Sequence, residues 1–234
     1  LLEGLEVAYS YGVEGNDDWG CDISTRYKIA VREYDCSNPP RPSCPDGKFE
    51  FHDQCAGDRP KNVESRWYDT LETQLRSNGD LEKKFVVKMD VEGGEWEALM
   101  ATPDEVLARI EQIPMEFHGV NEQRFLGVIR KMERTFYIAN LHFNNYSCTG
   151  DAAPLPAWAY QVLFVNKRIG KLDASVQGTP LPSIKNVRDT PQQPDCQPAV
   201  PDRDARLAKR RQALLDELHP VTLQNCKLAR YGSK

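Results

Sequence analysis

The sequence predicts an α/β fold: a doubly wound sheet of about seven mostly parallel strands, followed by a C-terminal extension. Three observations predict it. The segment from Phe85 to Leu99 (FVVKMDVEGGEWEAL) opens as an apolar, β-branched run, passes through Asp90, Glu92 and a glycine pair, and continues as a helix. Strand-like and helix-like stretches alternate on both sides of it, the pattern of a parallel sheet with crossover helices. Acidic and histidine side chains recur just where those strands end, the edge at which open α/β sheets bind ligands.

Taken in order, Leu5–Tyr11 (LEVAYSY) reads as a first strand that runs into the turn Gly12-Val13-Glu14-Gly15-Asn16. Asp17 or Asp18 then caps a helix whose apolar stripe is Trp19, Ile23 and Tyr27, spaced four apart. Ile29–Tyr34 is a second strand ending at Asp35, and Lys48–His52 an alternating third strand beyond a Pro/Cys/Ser loop. A helix is expected over Tyr68–Leu75, ahead of the Asn78-Gly79-Asp80 turn and the strand that starts at Phe85. Thr102-Pro103-Asp104-Glu105 reads as a capped helix start with Thr102 as N-cap. Ile113–Phe117 is a further strand with His118 just past its end, and Gln123–Thr135 an amphipathic helix. Tyr137–Phe143 and Ala159–Val165 close the pattern as an antiparallel pair. The domain is expected to span 1–170. Prolines at 180, 182, 191, 194, 198 and 201 mark 171–234 as a tail, with a helix over Asp202–Leu218.

Composition narrows the function classes. A chain of 234 residues can hide roughly 70–75% of its unfolded surface in one core. Net charge is −5 and the pI about 5.5, so no general attraction to nucleic acid is expected. No apolar run reaches membrane-spanning length. The chain starts at Leu1 rather than Met, so a segment upstream is expected. The seven cysteines (21, 36, 44, 55, 148, 196 and 226) contain no C-x-x-C pair, which argues against a zinc knuckle. Free thiols in a cytoplasmic protein are the expectation; a disulfide among Cys36, Cys44 and Cys55 in the secretory pathway is the alternative.

The turn after the first strand is glycine-rich without being a dinucleotide G-x-G-x-x-G, which argues against a nicotinamide oxidoreductase. Asp35, about twenty residues on, stands where a carboxylate receives ribose hydroxyls in nucleotide-binding α/β folds. Asp90, Glu92, Glu116, His118 and His142 all lie at or near strand ends on one edge. They offer two kinds of chemistry: His118 or His142 as general base, or a Mg-like ion on Asp90 and Glu116 with His118 as base or ligand. Plainer roles compete. Glu92 and Glu95 can complement a helix dipole, His142 can be a hydrogen-bonded strand residue, and Trp96 and Trp158 can be core.

The pattern YSYGVEGNDDWGCDISTRY…VREYD, with FVVKMDVEGGEWEALM and MEFHG, resembles the FkbM-type methyltransferases, nearest their methyltransferase-like branch. The resemblance runs from about Leu5 to Val165, and KMDVEGGEWEAL is its most specific piece. It implies a Rossmann-like fold of the class I methyltransferase type, S-adenosylmethionine as cofactor, and O-methylation of a hydroxyl on a sugar or small metabolite. By position, Tyr11, Gly12, Gly15 and Asn16 would line the methionine end, Asp35 the ribose and Asp58 the adenine. Apart from the resemblance, the strand-end residues themselves put Asp90 near both cofactor and reacting centre and make Asp90, His118 and His142 the candidates to carry the chemistry. Glu14 and the three-cysteine loop depart from the pattern. The rival expectation is a catalytically silent domain that binds a nucleoside or a partner protein.

Overall fold

The computed structural model describes residues 2–37, 39–119, 123–150, 155–173 and 186–197; for 123 and 124 only the backbone is described. In chain order the elements are β1 (Val7–Tyr11), α1 (Asp18–Tyr27), β2 (Ala30–Tyr34), β3 (Lys48–His52), β4 (Cys55–Ala56), β5 (Lys61–Val63), β6 (Arg66–Asp69) and α2 (Leu71–Ser77). There follow β7 (Phe85–Met89), α3 (Glu95–Ala101), α4 (Asp104–Leu107), β8 (Gln112–His118), α5 (Gln123–Thr135), β9 (Phe136–Phe143), a 3-10 turn at Asn145–Ser147, and β10 (Ala159–Asn166).

Seven strands form one sheet in the order β3-β2-β1-β7-β8-β10-β9, and β4-β6-β5 form a second, small sheet. From β3 to β8 every pairing is parallel, while β10 runs antiparallel to both β8 and β9. The chain leaves β1 toward β2 and β3 on one side and returns to β7 and β8 on the other. The switch point therefore falls between β1 and β7, compatible with a Rossmann-like plan.

Burial follows the strand pattern. β1 is buried throughout, as expected of a strand covered on both faces. One face carries Ala8, Val31 and Val86 against Ile23 of α1. The other carries Val87, Phe85, Ile113 and Phe117 against α2, α3, α4 and α5. α1 packs chiefly on β1, β2 and β3 and brings Trp19 alongside Pro114 and Glu116 of β8, so the same face of β10 and β9 lies beyond its main footprint. Side chains such as Glu116, Gln161 and Leu163 look out on this side of the sheet.

Several expectations are corrected. Residues 66–69 are strand, not helix: α2 begins only at Leu71, where the Thr70 hydroxyl accepts the Thr73 amide. Thr102 does not cap the following helix; its hydroxyl donates back to the Ala98 carbonyl, and Pro103 stands at the cap position. His118 is the last residue of β8 rather than beyond it; of the two caps expected for α1, Asp17 is the one that accepts the Gly20 amide. The free-thiol expectation is overturned by three disulfides, Cys21–Cys44, Cys36–Cys55 and Cys148–Cys196. Cys226 and the helix expected over Asp202–Leu218 lie outside the described residues. No helix among the described residues is long and apolar enough to cross a membrane.

The tail returns to the domain. Cys196 bonds to Cys148, Asn145 holds the Thr190 and Gln193 carbonyls, and Asn186 receives Asn140. Residues 186–197 thus run along the uncovered face beside β9 and β10, where a helix would otherwise lie.

Candidate functional site at the switch point

Gly12 fixes how closely β1 and β7 end together. Its φ is +73°, and a Cβ there would lie 1.6 Å from the Asp90 carbonyl oxygen, so only glycine lets the two tips meet. The tips are laced by backbone: Asp90 donates to the Tyr11 carbonyl and Gly12 to that of Tyr34. Lys88 reaches across and donates to the Gly12 carbonyl at 2.7 Å.

Three cavities open around this junction, and Asp90 lines all of them. One, of about 370 Å³, lies between the tips of β1 and β2 and the small sheet; its wall includes Gly12, Tyr34, Asp35, Arg66, Tyr68 and Glu92. The second, of about 300 Å³, is bounded by Gly12, Val13, Glu14, Asn16, Lys88 and Glu92. The third, of about 330 Å³, sits on the uncovered sheet face with Trp19 of α1 at its side and Glu116, Asn140 and Gln161 in its floor.

The electrostatics centre on His118. Its Nδ1 lies 3.1 Å from Glu95 Oε1, and Glu95 is itself fully buried and held by the Val91 and Gly93 amides. Its Nε2 faces three further carboxylates, Glu92 at 3.5 Å, Glu116 at 3.7 Å and Asp90 at 3.9 Å. Burial works against a charged imidazole, but the Glu95 hydrogen bond and the charges of Glu95, Glu92 and Asp90 outweigh it and push His118 up to about 9. Asp90 is pushed up to about 6, chiefly by burial, with Glu116 and Glu92 adding to it and Lys88 and His118 opposing.

Asp35 is the contrasting carboxylate. Oδ2 accepts the Val13 and Glu14 amides and Oδ1 the Ser37 amide and hydroxyl, so all four lone-pair directions are filled. Burial raises its pKa, yet the Ser37, Glu14 and Val13 bonds prevail and hold it below the usual carboxylate value.

The residues expected from the sequence divide. Gly12, Asn16, Asp35, Asp90 and Glu116 line the three cavities, and His118 stands against Asp90. The Tyr11 side chain is buried on the α2 side with its hydroxyl on Gln74, and Gly15 packs against Pro40. Asp58 is paired with Lys61 and lines a different hollow with Trp96 and Met100. His142 is buried; its Nδ1 lies 3.2 Å from Gln161 Oε1, while Nε2 has no partner among the described residues. Trp96 is core, stacked on Phe117 and Phe125, and Trp158 is half exposed near the His118 ring. Sequence reasoning missed Lys88, Arg66, Tyr68 and Gln161. Lys88 was visible beside Asp90, but the others depend on a hairpin and a strand pairing that the local pattern did not announce.

The fold and the site together define an α/β domain with a cleft at its switch point, walled in part by carboxylates. No family model matches the chain, and no curated protein matches it.

Proposed function

We propose that the chain is an S-adenosylmethionine-dependent methyltransferase that methylates a hydroxyl on a sugar or other small metabolite. The observation that carries the reading is the meeting of three separate cavities at the single side chain of Asp90. In it the nucleoside of the cofactor takes the cavity beside Asp35, the amino-acid end takes the one bounded by Gly12 and Asn16, and the acceptor takes the one floored by Glu116 and Gln161. A seven-stranded, mostly parallel sheet suits the class I methyltransferase type that the sequence resembles. The acidic surroundings suit a ligand bearing a positive sulfonium, which would supply an electrophilic methyl group.

The protein's own contribution is alignment and proton handling. His118, charged at neutral pH, is a poor base, and it neutralises part of the carboxylate cluster. Asp90, poised near 6 at the junction, is the better candidate to accept the hydroxyl proton, with Glu116 beside the same cavity. His142 holds the Gln161 side chain, which in turn donates to Glu116. A hard divalent ion also fits the donor set. Ligand atoms of Asp90 and His118 lie within 4.8 Å of one another, Glu116 stands 3.7 Å from the same Nε2, and Glu95 on Nδ1 is the usual support of a ligating imidazole. That fit requires His118 to give up its proton. Turnover that EDTA leaves unchanged favours the imidazolium, and loss restored by Mg²⁺ favours the ion.

One observation favours the catalytically silent reading: the carboxylate expected to hold a ribose is already saturated by protein donors. Calorimetry with S-adenosylhomocysteine decides. Micromolar binding to the wild-type chain supports the methyltransferase reading; no binding defeats it, and binding without methyl transfer to any hydroxylated compound in a broad panel leaves the silent domain. Three disulfides lead us to infer an oxidising compartment in place of the cytoplasm.

A further inference from the structure

The small sheet β4-β6-β5 stands apart from the main core, yet it forms one wall of the 370 Å³ cavity. Arg66 and Tyr68, two apart on β6, share the face that lines it. The guanidinium of Arg66 has no hydrogen-bond or ion-pair partner among the described residues, although the chain is rich in carboxylates. Gly57 lies beside the root of Tyr68, where a Cβ would come within 3.1 Å of the Tyr68 Cβ, and the Lys61 ammonium stands 5.4 Å from the ring centroid. The hairpin that presents Arg66 turns through Glu64 and Ser65, both at positive φ (50° and 66°). Two-residue turns of that kind ordinarily use Asn or Gly, so this one is held at a cost of about 1 kcal/mol or more per residue.

The opposite end of the same wall is covalent. Cys36 follows Asp35 directly at the tip of β2 and is bonded to Cys55 in β4, which pairs with Tyr68 in β6. Both cysteines line the cavity. The disulfide therefore fixes the distance between the Asp35 side of the cavity and the strand that carries Arg66 and Tyr68.

We infer that Arg66 and Tyr68 are the base-recognition residues of the nucleoside cavity, and that the Cys36–Cys55 bond positions them. The inference rests on the methyltransferase reading, and it makes donor binding a property of the oxidised chain. The chemistry matches the two sides of a nucleoside. A purine offers a flat π surface and ring nitrogens with lone pairs, which suit an aromatic ring and a planar cation. A ribose offers hydroxyl donors, which suit the carboxylates of Glu14 and Glu92 across the cavity.

The test is calorimetry on the oxidised chain with S-adenosylhomocysteine and adenosine as probes, and near-ultraviolet circular dichroism to verify folding. Arg66→Ala and Tyr68→Leu should each weaken both probes by roughly 5–20-fold, the scale of one lost stacking or charge-assisted contact. Replacing Cys36 and Cys55 together by serine should weaken both by about tenfold or more, whereas the same change at Cys148 and Cys196 should leave both within about twofold. The second pair controls for the general loss of a cross-link. If the Cys36/Cys55 variant does not fold, the two hairpin variants carry the decision. Wild-type binding with undiminished binding by Arg66→Ala and Tyr68→Leu overturns the inference and leaves the methyltransferase reading standing. Failure of the wild type to bind either probe removes both.

Discussion

Asp35 and Asp90 hold equivalent positions, each the first residue after a parallel strand of the same sheet, and they line the same cavity. Their surroundings are opposite. Asp35 receives four hydrogen bonds from protein donors and is held in its charged form. The Asp90 carboxylate makes no hydrogen bond among the described residues, has Glu92 and Glu116 for neighbours, and is pushed up to about 6. Residue type and strand position alone therefore do not distinguish a saturated carboxylate from one left without donors. The count of donors that the fold directs at each carboxylate does.

The comparison breaks most visibly at Asp90. Asp90→Asn should lower methyl transfer by about 10²–10⁴-fold, the usual worth of a positioned base, while the melting temperature changes little. In the wild type the rate should rise with pH as Asp90 loses its proton, with a midpoint near 6, and then level off. The variant should lack that limb. An acid limb that survives in Asp90→Asn assigns the proton to another group.

Asp35→Asn should do the reverse and act on the fold. Removing the charge leaves the Val13, Glu14 and Ser37 donors poorly matched, at a cost of about 1–3 kcal/mol in urea unfolding. The sign follows from its lowered folded-state pKa. The native state prefers the carboxylate, so this stability is present above the unfolded value near 4 and is lost as pH falls through the folded one. Acid unfolding of the wild type should therefore be steeper than that of the variant. Equal acid profiles would show that Asp35 braces nothing.

How much of this was legible in the sequence depends on distance along the chain. The strand at Phe85–Met89 and its acidic tip, the Asp17 cap and the glycine turn are local patterns, and each stands where the pattern put it. The hairpin β5–β6 was hidden because Trp67 and Tyr68 precede a good helix and the Glu64-Ser65 turn lacks the glycine that announces such turns. The pairing of Cys36 with Cys55, rather than either with Cys44, depends on where β2 ends relative to β4. Likewise Glu95 gave no sign that its carboxylate would reach His118, 23 residues on, since that contact exists only because β7 and β8 are neighbours. The contrast between Asp35 and Asp90 belongs to the same class: Ser37 is local to Asp35, but Val13 and Glu14 come from the other side of α1.

A third carboxyl group sharpens the rule. Glu33 in β2 is fully buried, neither oxygen has a partner among the described residues, and burial, with Asp17 nearby, pushes it up to about 8. Here the native state prefers the proton. The favourable contribution is complete below the unfolded value near 4.3 and is lost as pH rises through 8. Glu33→Gln should stabilise the chain at pH 8 by on the order of 1–2 kcal/mol and have little effect at pH 4, read from urea midpoints at the two pH values. An equal effect at both would mean that Glu33 is not neutral in the native state.

The smallest effect is expected where the tail meets the acceptor cavity. Gln161 Nε2 donates both to Glu116, at 3.0 Å, and to Asp189 of the tail, at 2.7 Å, while its Oε1 faces His142. Asp189 thereby acts through Gln161, holding the amide in the orientation that gives Glu116 a donor. The pair is partly exposed, so Asp189→Ala should cost less than about 1 kcal/mol of stability. Its signature lies elsewhere: the Gln161 side-chain amide resonances should shift and broaden as the group gains freedom, and the His142 ring signals should follow. Cys148–Cys196 and the Asn145 bonds still hold the tail in place, so amide exchange across 186–197 should be unchanged. A tail that loosens throughout in Asp189→Ala would mean that this carboxylate, rather than the disulfide, seats it on the sheet.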